Sequence, residues 1–187
     1  VAANNIKGIN PIRFSVVRYG NVMGSNGSVI PFFLNKRKEG YLPITDKTMT
    51  RFNITLDGGV DMVLYALEKA WGGEIFVPKI SSYKITDVAK AIAPNIPHNE
   101  IGIRPGEKIH EEMITSSDSY HTYDLGDYYA ILPSIPNWNE DDFVREFNAT
   151  KVTKGFTYNS GTNEEWETPE SLRVLIKEHL DPEFTVD

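Results

Sequence analysis

Two arginines stand where a guanidinium fork could meet phosphate oxygens: Arg51, between Thr50 and the strand-like FNIT, and Arg104, just before the Pro105-Gly106 turn. A planar guanidinium grips two oxygens of a diphosphate at once, although an arginine taken alone is more often a surface salt-bridge partner. Glu107 follows closely after Arg104 and could accept hydrogen bonds from ribose hydroxyls, or pair with Lys108 or Arg104. The stretch RYGNVMGSNGSVIPFF, residues 18–33, adds a backbone element. Gly24 and Gly27 have no Cβ, so the main chain between them can turn tightly and expose its N–H groups; such a turn feeding a helix can hold an anion, or can be an ordinary strand-to-helix connection. Asn21 follows a strand-like run directly and offers a donor and an acceptor where α/β sheets place ligands, beyond a strand's carboxyl end. Tyr19 suits a core or a contact equally.

Other chemistries are excluded. His110, Glu111 and Glu112 in KIHEEMI do not make the HExxH zinc motif, because residue 114 is Ile. The four histidines, at 98, 110, 121 and 179, show no ligand spacing, and no metal site is expected. The absence of cysteine rules out disulfides and thiolate metal ligands.

Composition bounds the rest. The chain has 187 residues, 40% hydrophobic and 24% charged, enough for a sizeable core. A formal charge of -7, with no Lys/Arg-rich block, argues against nucleic acid as a partner while permitting a local phosphate pocket. No apolar run approaches ~18 residues, and no leader pattern precedes the first elements, so a soluble, cytoplasmic protein with no membrane partner is expected.

Strands alternating with helices predict an α/β architecture. Residues 12–20 read as a strand buried on both faces, and residues 29–38 as a helix with Pro31 harmless in its first turn. Residues 56–70 give the clearest helix, with Leu56, Val60, Val63, Leu64 and Leu67 on one apolar face that is expected to be core. A short strand ends at Pro78, and a helix follows over residues 85–93. Beyond Gly102, HEEMI reads as an amphipathic helix, residues 120–132 as short strands and residues 137–163 as a polar loop whose acidic run at 140–142 is solvated. The last helix is capped by Thr168 with Pro169 at its first position.

Four ordered blocks then carry a family resemblance: RYGNVMGSNGSVIPFF, ITDKTMTRFNITLDGGVDMVLYAL, GGEIFVPKISSYKITDVAKAI and IGIRPGEKIHEEMI. In this order and spacing they resemble the C-terminal half of UDP-N-acetylglucosamine 4,6-dehydratases. These belong to the extended short-chain dehydrogenase/reductases, and the match is nearest to the C5-inverting type that opens the pseudaminic acid pathway. The resemblance implies the C-terminal part of a Rossmann-type fold plus a small mixed α/β substrate-binding subdomain. Residues 1–100 would hold the Rossmann-like portion interleaved with substrate-binding segments, and residues 101–187 the subdomain and last helix. It implies that Asn21, Ser28, Val29, Arg51, Arg104 and Glu107 surround UDP-N-acetylglucosamine, and that Tyr19, Gly20, Asn21 and Val22 lie beside NADP. Many relatives carry Arg where this chain has Asn26, which removes one charge contact.

The family's Gly-rich dinucleotide turn, Thr-Asp-Lys segment and Tyr-x-x-x-Lys pair have no counterpart here. The catalytic residues are therefore expected upstream, in a missing N-terminal half without which this segment is inactive. The intact enzyme would make a UDP-4-keto-6-deoxy-hexose for surface polysaccharide or flagellin glycan, as a homo-oligomer. A related nucleotide-sugar epimerase, or a non-catalytic binding or assembly module, would carry the same substrate grip.

Overall fold

The computed structural model describes residues 12–186. The opening VAANNIKG, residues 1–8, which the sequence reads as a short helical tail ending at Gly8, lies outside them. In chain order the elements are β1 (Val16–Val17), β2 (Asn21–Val22), α1 (Val29–Lys36), β3 (Leu42–Ile44), β4 (Thr50–Ile54) and α2 (Leu56–Lys69). There follow β5 (Ile75–Pro78), β6 (Ser82–Lys84), α3 (Ile85–Ile92), β7 (His98–Glu100), β8 (Glu112–Ile114) and β9 (Thr122–Asp124). Last come β10 (Tyr128–Ile131), α4 (Glu140–Glu146), β11 (Thr150–Lys151), β12 (Tyr158–Asn159) and α5 (Pro169–His179). The mixture of parallel and antiparallel ladders with helices is the α/β architecture that the sequence predicts.

The chain folds as two units, each built from separated segments. Unit one comprises the segment ending at Tyr19, Asp57–Lys79 and Glu112–Tyr158; unit two comprises Gly20–Leu56, Ile80–Glu111 and the stretch from Asn159 onward. The expected segments 1–100 and 101–187 each contribute to both units.

Unit one is organised by a five-stranded sheet in the order β1-β5-β10-β9-β11, with β1 parallel to β5 and the rest antiparallel. Met62, Ala66 and Ala70 pack with Phe76, Tyr123, Ala130, Leu132 and Phe143 in its core. Trp138 stacks on Phe143 and meets Trp71 edge-on, two favoured aromatic geometries. Glu74 is fully buried because its carboxylate accepts the N–H groups of Trp71 at 2.5 Å and Gly72 at 2.7 Å.

Unit two holds the sheet β2-β4-β6 and the parallel pair β3-β7. Phe33, Leu42, Ile44, Val88, Ile92, Leu172 and Ile176 fill its core. Here α5 starts as the sequence predicts: Thr168 accepts from the Ser171 N–H, Ser171 bonds back, and Pro169 occupies the first position.

Four expectations need correction. The apolar face of α2 is exposed, at 67% for Leu56, 49% for Val60, 45% for Val63, 56% for Leu64 and 81% for Leu67. Its opposite, small-residue face of Gly59, Met62 and Ala66 is the buried one, because the sheet accepts a close-packed helix there. The strand expected over 12–20 is two residues long and edge-placed, leaving Ile12, Phe14 and Val16 exposed. HEEMI is no helix: the Ser160 N–H donates to the Glu111 carbonyl at 2.8 Å, Glu111 N–H donates to Ser160 Oγ, and β8 begins at Glu112. Residues 137–163 are not a loop, since Asn139 caps α4 by accepting from Asp142 N–H, and acidic residues in the first turn suit the helix dipole.

In the 187-residue chain, Met62→Ala, at a position 1% exposed, should lower the unfolding free energy by about 2–5 kcal/mol. Leu67→Ala should change it by no more than about 0.5 kcal/mol. Urea denaturation of the two variants checks which face of α2 is buried.

Candidate functional site

A cavity of about 430 Å³ in unit two is lined by Asn21, Ser28, Val29, Arg51, Arg104 and Glu107, together with residues of the glycine-spaced turn and α1. Segments distant along the chain thus converge on one concavity. Two other cavities are larger, about 460 Å³ beside Asp118 and His121 and about 670 Å³ beside Lys84 and Trp166, so size does not single out the site. Its chemistry does: two guanidinium groups and a helix start face one space.

The turn owes its shape to glycine. Gly24 and Gly27 have φ of 77° and 81°, in the left-handed region that a Cβ disfavours. Ser28 N–H donates to the Ser25 carbonyl at 3.0 Å, which aims the start of α1 at the cavity. The first turn of a helix has no internal acceptors for its N–H groups, and Pro31 contributes none. Ser28 stands at the N-cap position in extended geometry, yet its side chain makes no capping bond. Its Oγ is buried with no hydrogen-bond partner, an arrangement that costs free energy unless a ligand meets it.

Arg51 is strapped in place. Nη1 donates to the carbonyls of Thr50 at 2.6 Å and Ile109 at 3.0 Å, Nη2 reaches Met49 Sδ at 3.2 Å, and the side chain is 14% exposed. Arg104 is exposed on a reciprocal turn, where its N–H donates to Glu107 Oε2 at 3.1 Å and Glu107 N–H donates to the Arg104 carbonyl at 3.1 Å. Glu107 therefore closes this turn and keeps acceptor capacity toward the cavity. Alternation along β4 turns the neighbouring Thr50 the other way, where its hydroxyl joins His110 Nδ1 at 2.8 Å and Ser160 Oγ at 2.7 Å.

Two residues beside this wall were not singled out for the site by the sequence. Tyr83 lies directly opposite Arg51 in the β4–β6 register, with its phenol close enough to the Asn21 side chain for that amide to favour the phenolate. Burial pushes the Tyr83 phenol up to about 12, so it stays neutral. Glu111 accepts Phe52 N–H at 2.9 Å and stands 3.8 Å from Arg51 Nε; burial raises its carboxyl above the ordinary value, against the opposing pull of that N–H and of Arg51. No spacing rule could have found either, since both act through strand register.

Tyr19, Gly20 and Val22 do not line the cavity. Tyr19 belongs to unit one and is 38% exposed, and Val22 lies in β2. Gly20 is needed for packing, because a Cβ there would fall 2.4 Å from Phe52 Cβ.

A family model described as polysaccharide biosynthesis protein matches residues 1–133. A UDP-N-acetylglucosamine 4,6-dehydratase (inverting) of Campylobacter jejuni is 53% identical over 184 residues, covering 94% of this chain and 54% of that protein. A UDP-glucose 4-epimerase of Rickettsia canadensis is 43% identical over 136 residues, covering 70% of this chain and 40% of that protein. The chain thus spans about half or less of the length of these curated relatives. The X-ray structure of Pen from Bacillus thuringiensis superposes with a TM-score of 0.80 at 35% identity, over 95% of this chain and 53% of that one.

Gly20→Ala should destabilise the chain by about 1–3 kcal/mol through overlap with Phe52. Gly27→Ala, with nothing within 4 Å of the new Cβ, should cost about 1–2 kcal/mol from the left-handed backbone alone. Equilibrium unfolding of both variants separates crowding from backbone strain.

Proposed function

Because the chain belongs to the polysaccharide biosynthesis protein family, we propose that it supplies the substrate grip of a UDP-N-acetylglucosamine 4,6-dehydratase whose complete polypeptide is about twice as long. The observation that carries this reading is the single cavity where Ser28's unpartnered buried hydroxyl, the start of α1 and the guanidinium groups of Arg51 and Arg104 converge. That donor set suits a diphosphate: the helix start offers N–H groups and dipole, exposed Arg104 offers a planar fork, and strapped Arg51 offers its fixed charge and the remaining Nη2 hydrogen. Asn21 and Glu107 add an amide and a carboxylate for sugar hydroxyls. Binding energy from the remote UDP group would orient the hexose for reaction.

The complete enzyme would form a UDP-4-keto-6-deoxy-hexose with inversion at C5, for surface polysaccharide or flagellin glycan. NADP, when bound, would supply the hydride acceptor and donor. Tyr19, Gly20, Asn21 and Val22 are this chain's share of its surroundings, with the rest of the grip and the acid/base residues elsewhere in the complete polypeptide. Segments 1–100 and 101–187 correspond in this reading to Rossmann-like and substrate-binding portions. The exposed apolar face of α2 supports a cover by the rest of that polypeptide, within a cytoplasmic homo-oligomer. No helix among the described residues is long and apolar enough to cross a membrane.

A UDP-sugar 4-epimerase is the second reading, favoured by the Rickettsia relative. Product analysis separates the two, because only the dehydratase yields a deoxy-keto sugar.

Calorimetric titration of the complete polypeptide with UDP should show saturable binding. Arg51→Lys should weaken it about 10- to 100-fold, and Arg104→Ala less, because that side chain is exposed. Absence of saturable UDP binding, or variants that bind as the unaltered protein does, would overturn the assignment.

A further inference from the structure

Asn21 and Arg51 reach the cavity from adjacent strands, and each leans on a residue outside the cavity lining. Tyr83, 2% exposed on β6, faces Arg51 across the ladder and stands near the Asn21 side chain. An Asn amide can present either its oxygen or its nitrogen to a ligand, and a fixed hydroxyl partner decides which. Glu111, whose side chain is 24% exposed, lies 3.8 Å from Arg51 Nε while its other carboxylate oxygen holds Phe52 N–H. Together with the carbonyls of Thr50 and Ile109 and with Met49 Sδ, it fixes the orientation of the guanidinium. An Arg ordered before the ligand arrives loses its rotamer entropy at folding and not at binding.

We propose that Tyr83 and Glu111 are positioning residues of the nucleotide-sugar site, Tyr83 setting the Asn21 amide and Glu111 aiming the Arg51 fork, an inference that rests on the proposed function. Neither touches the ligand; each acts through a residue that does.

Stability considerations point the same way. The charged groups bearing on Glu111 are Arg51 and Lys108, with the neutral Tyr83 hydroxyl facing it from β6. Burial outweighs both cations and raises its pKa, so folding favours the protonated form. The stabilising contribution is therefore complete at low pH and is lost as pH rises through the raised value, where the ionised group opposes folding. A neutral Gln would fill the same space and still accept Phe52 N–H. A charge kept against folding stability beside a binding arginine is expected of a functional group.

The test uses the complete polypeptide, UDP as the calorimetric probe and thermal unfolding in parallel. Tyr83→Phe should weaken UDP binding about two- to tenfold, the range of one lost hydrogen bond, with little change in the unfolding midpoint. Glu111→Gln should weaken it about tenfold while unfolding at an equal or higher temperature than the unaltered protein, by a margin that is small below the ordinary carboxylate range and reaches its full size once pH has passed the raised pKa. If the unaltered protein binds UDP and both variants bind it equally well, the positioning roles are refuted while the site assignment stands. If Glu111→Gln loses binding only in step with lost stability, Glu111 is structural and its assignment falls. If the unaltered protein does not bind UDP, the proposed function fails first and this inference with it.

Discussion

Register along β4 is the constraint from which the site follows. The strand pairs in parallel with β2, placing Asn21 beside Asn53, and antiparallel with β6, placing Arg51 opposite Tyr83. Because side chains alternate, a slip of one residue would send Arg51 to the face now held by Thr50 and lose the alignment with Tyr83. The register is locked from several directions: the Arg51 guanidinium bonds main-chain carbonyls on both sides, Phe52 N–H goes to Glu111, and the Thr50 hydroxyl engages His110 and Ser160. Gly20 belongs to the same device, since only a residue without Cβ lets β2 lie so close to Phe52.

This arrangement also bears on how an acidic chain could hold an anion in the proposed site. The net charge of -7 is spread over a surface where salt screens it, and exposed pairs such as Lys36–Glu39 or Lys90–Asp87 contribute little. At the cavity Arg51 and Arg104 face the nearby carboxylates of Glu107 and Glu111, so a bound phosphate would depend on directed N–H donors from the helix start and the guanidinium groups and not on local net charge. Ser28 fits the same pattern: a residue type that usually caps a helix leaves its hydroxyl unpaired, at a local cost that a bound phosphate would offset.

The exposed face of α2 has a different meaning. Leu56, Val60, Val63, Leu64 and Leu67 form the stripe that periodicity alone assigns to a core, and in this chain they meet no core. Periodicity detects that a helix has an apolar side; it does not say what covers it. The buried side carries Gly59 and Ala66, whose small volume lets the helix approach the sheet.

What the sequence determined by itself is local: the glycine-spaced turn before α1, the cap and Pro at the start of α5, the existence of α2 and α3, and the residue types able to hold a diphosphate. These follow from short-range sterics and hydrogen bonding, which neighbouring residues decide. Tertiary structure decided the rest. HEEMI has helical spacing, yet pairing with Ser160 makes it extended; Asn139 turns a polar stretch into the start of α4; and Tyr83 and Glu111 join the site through cross-strand register. Contacts between residues far apart along the chain are set by packing and ladder alignment, quantities that no local pattern encodes.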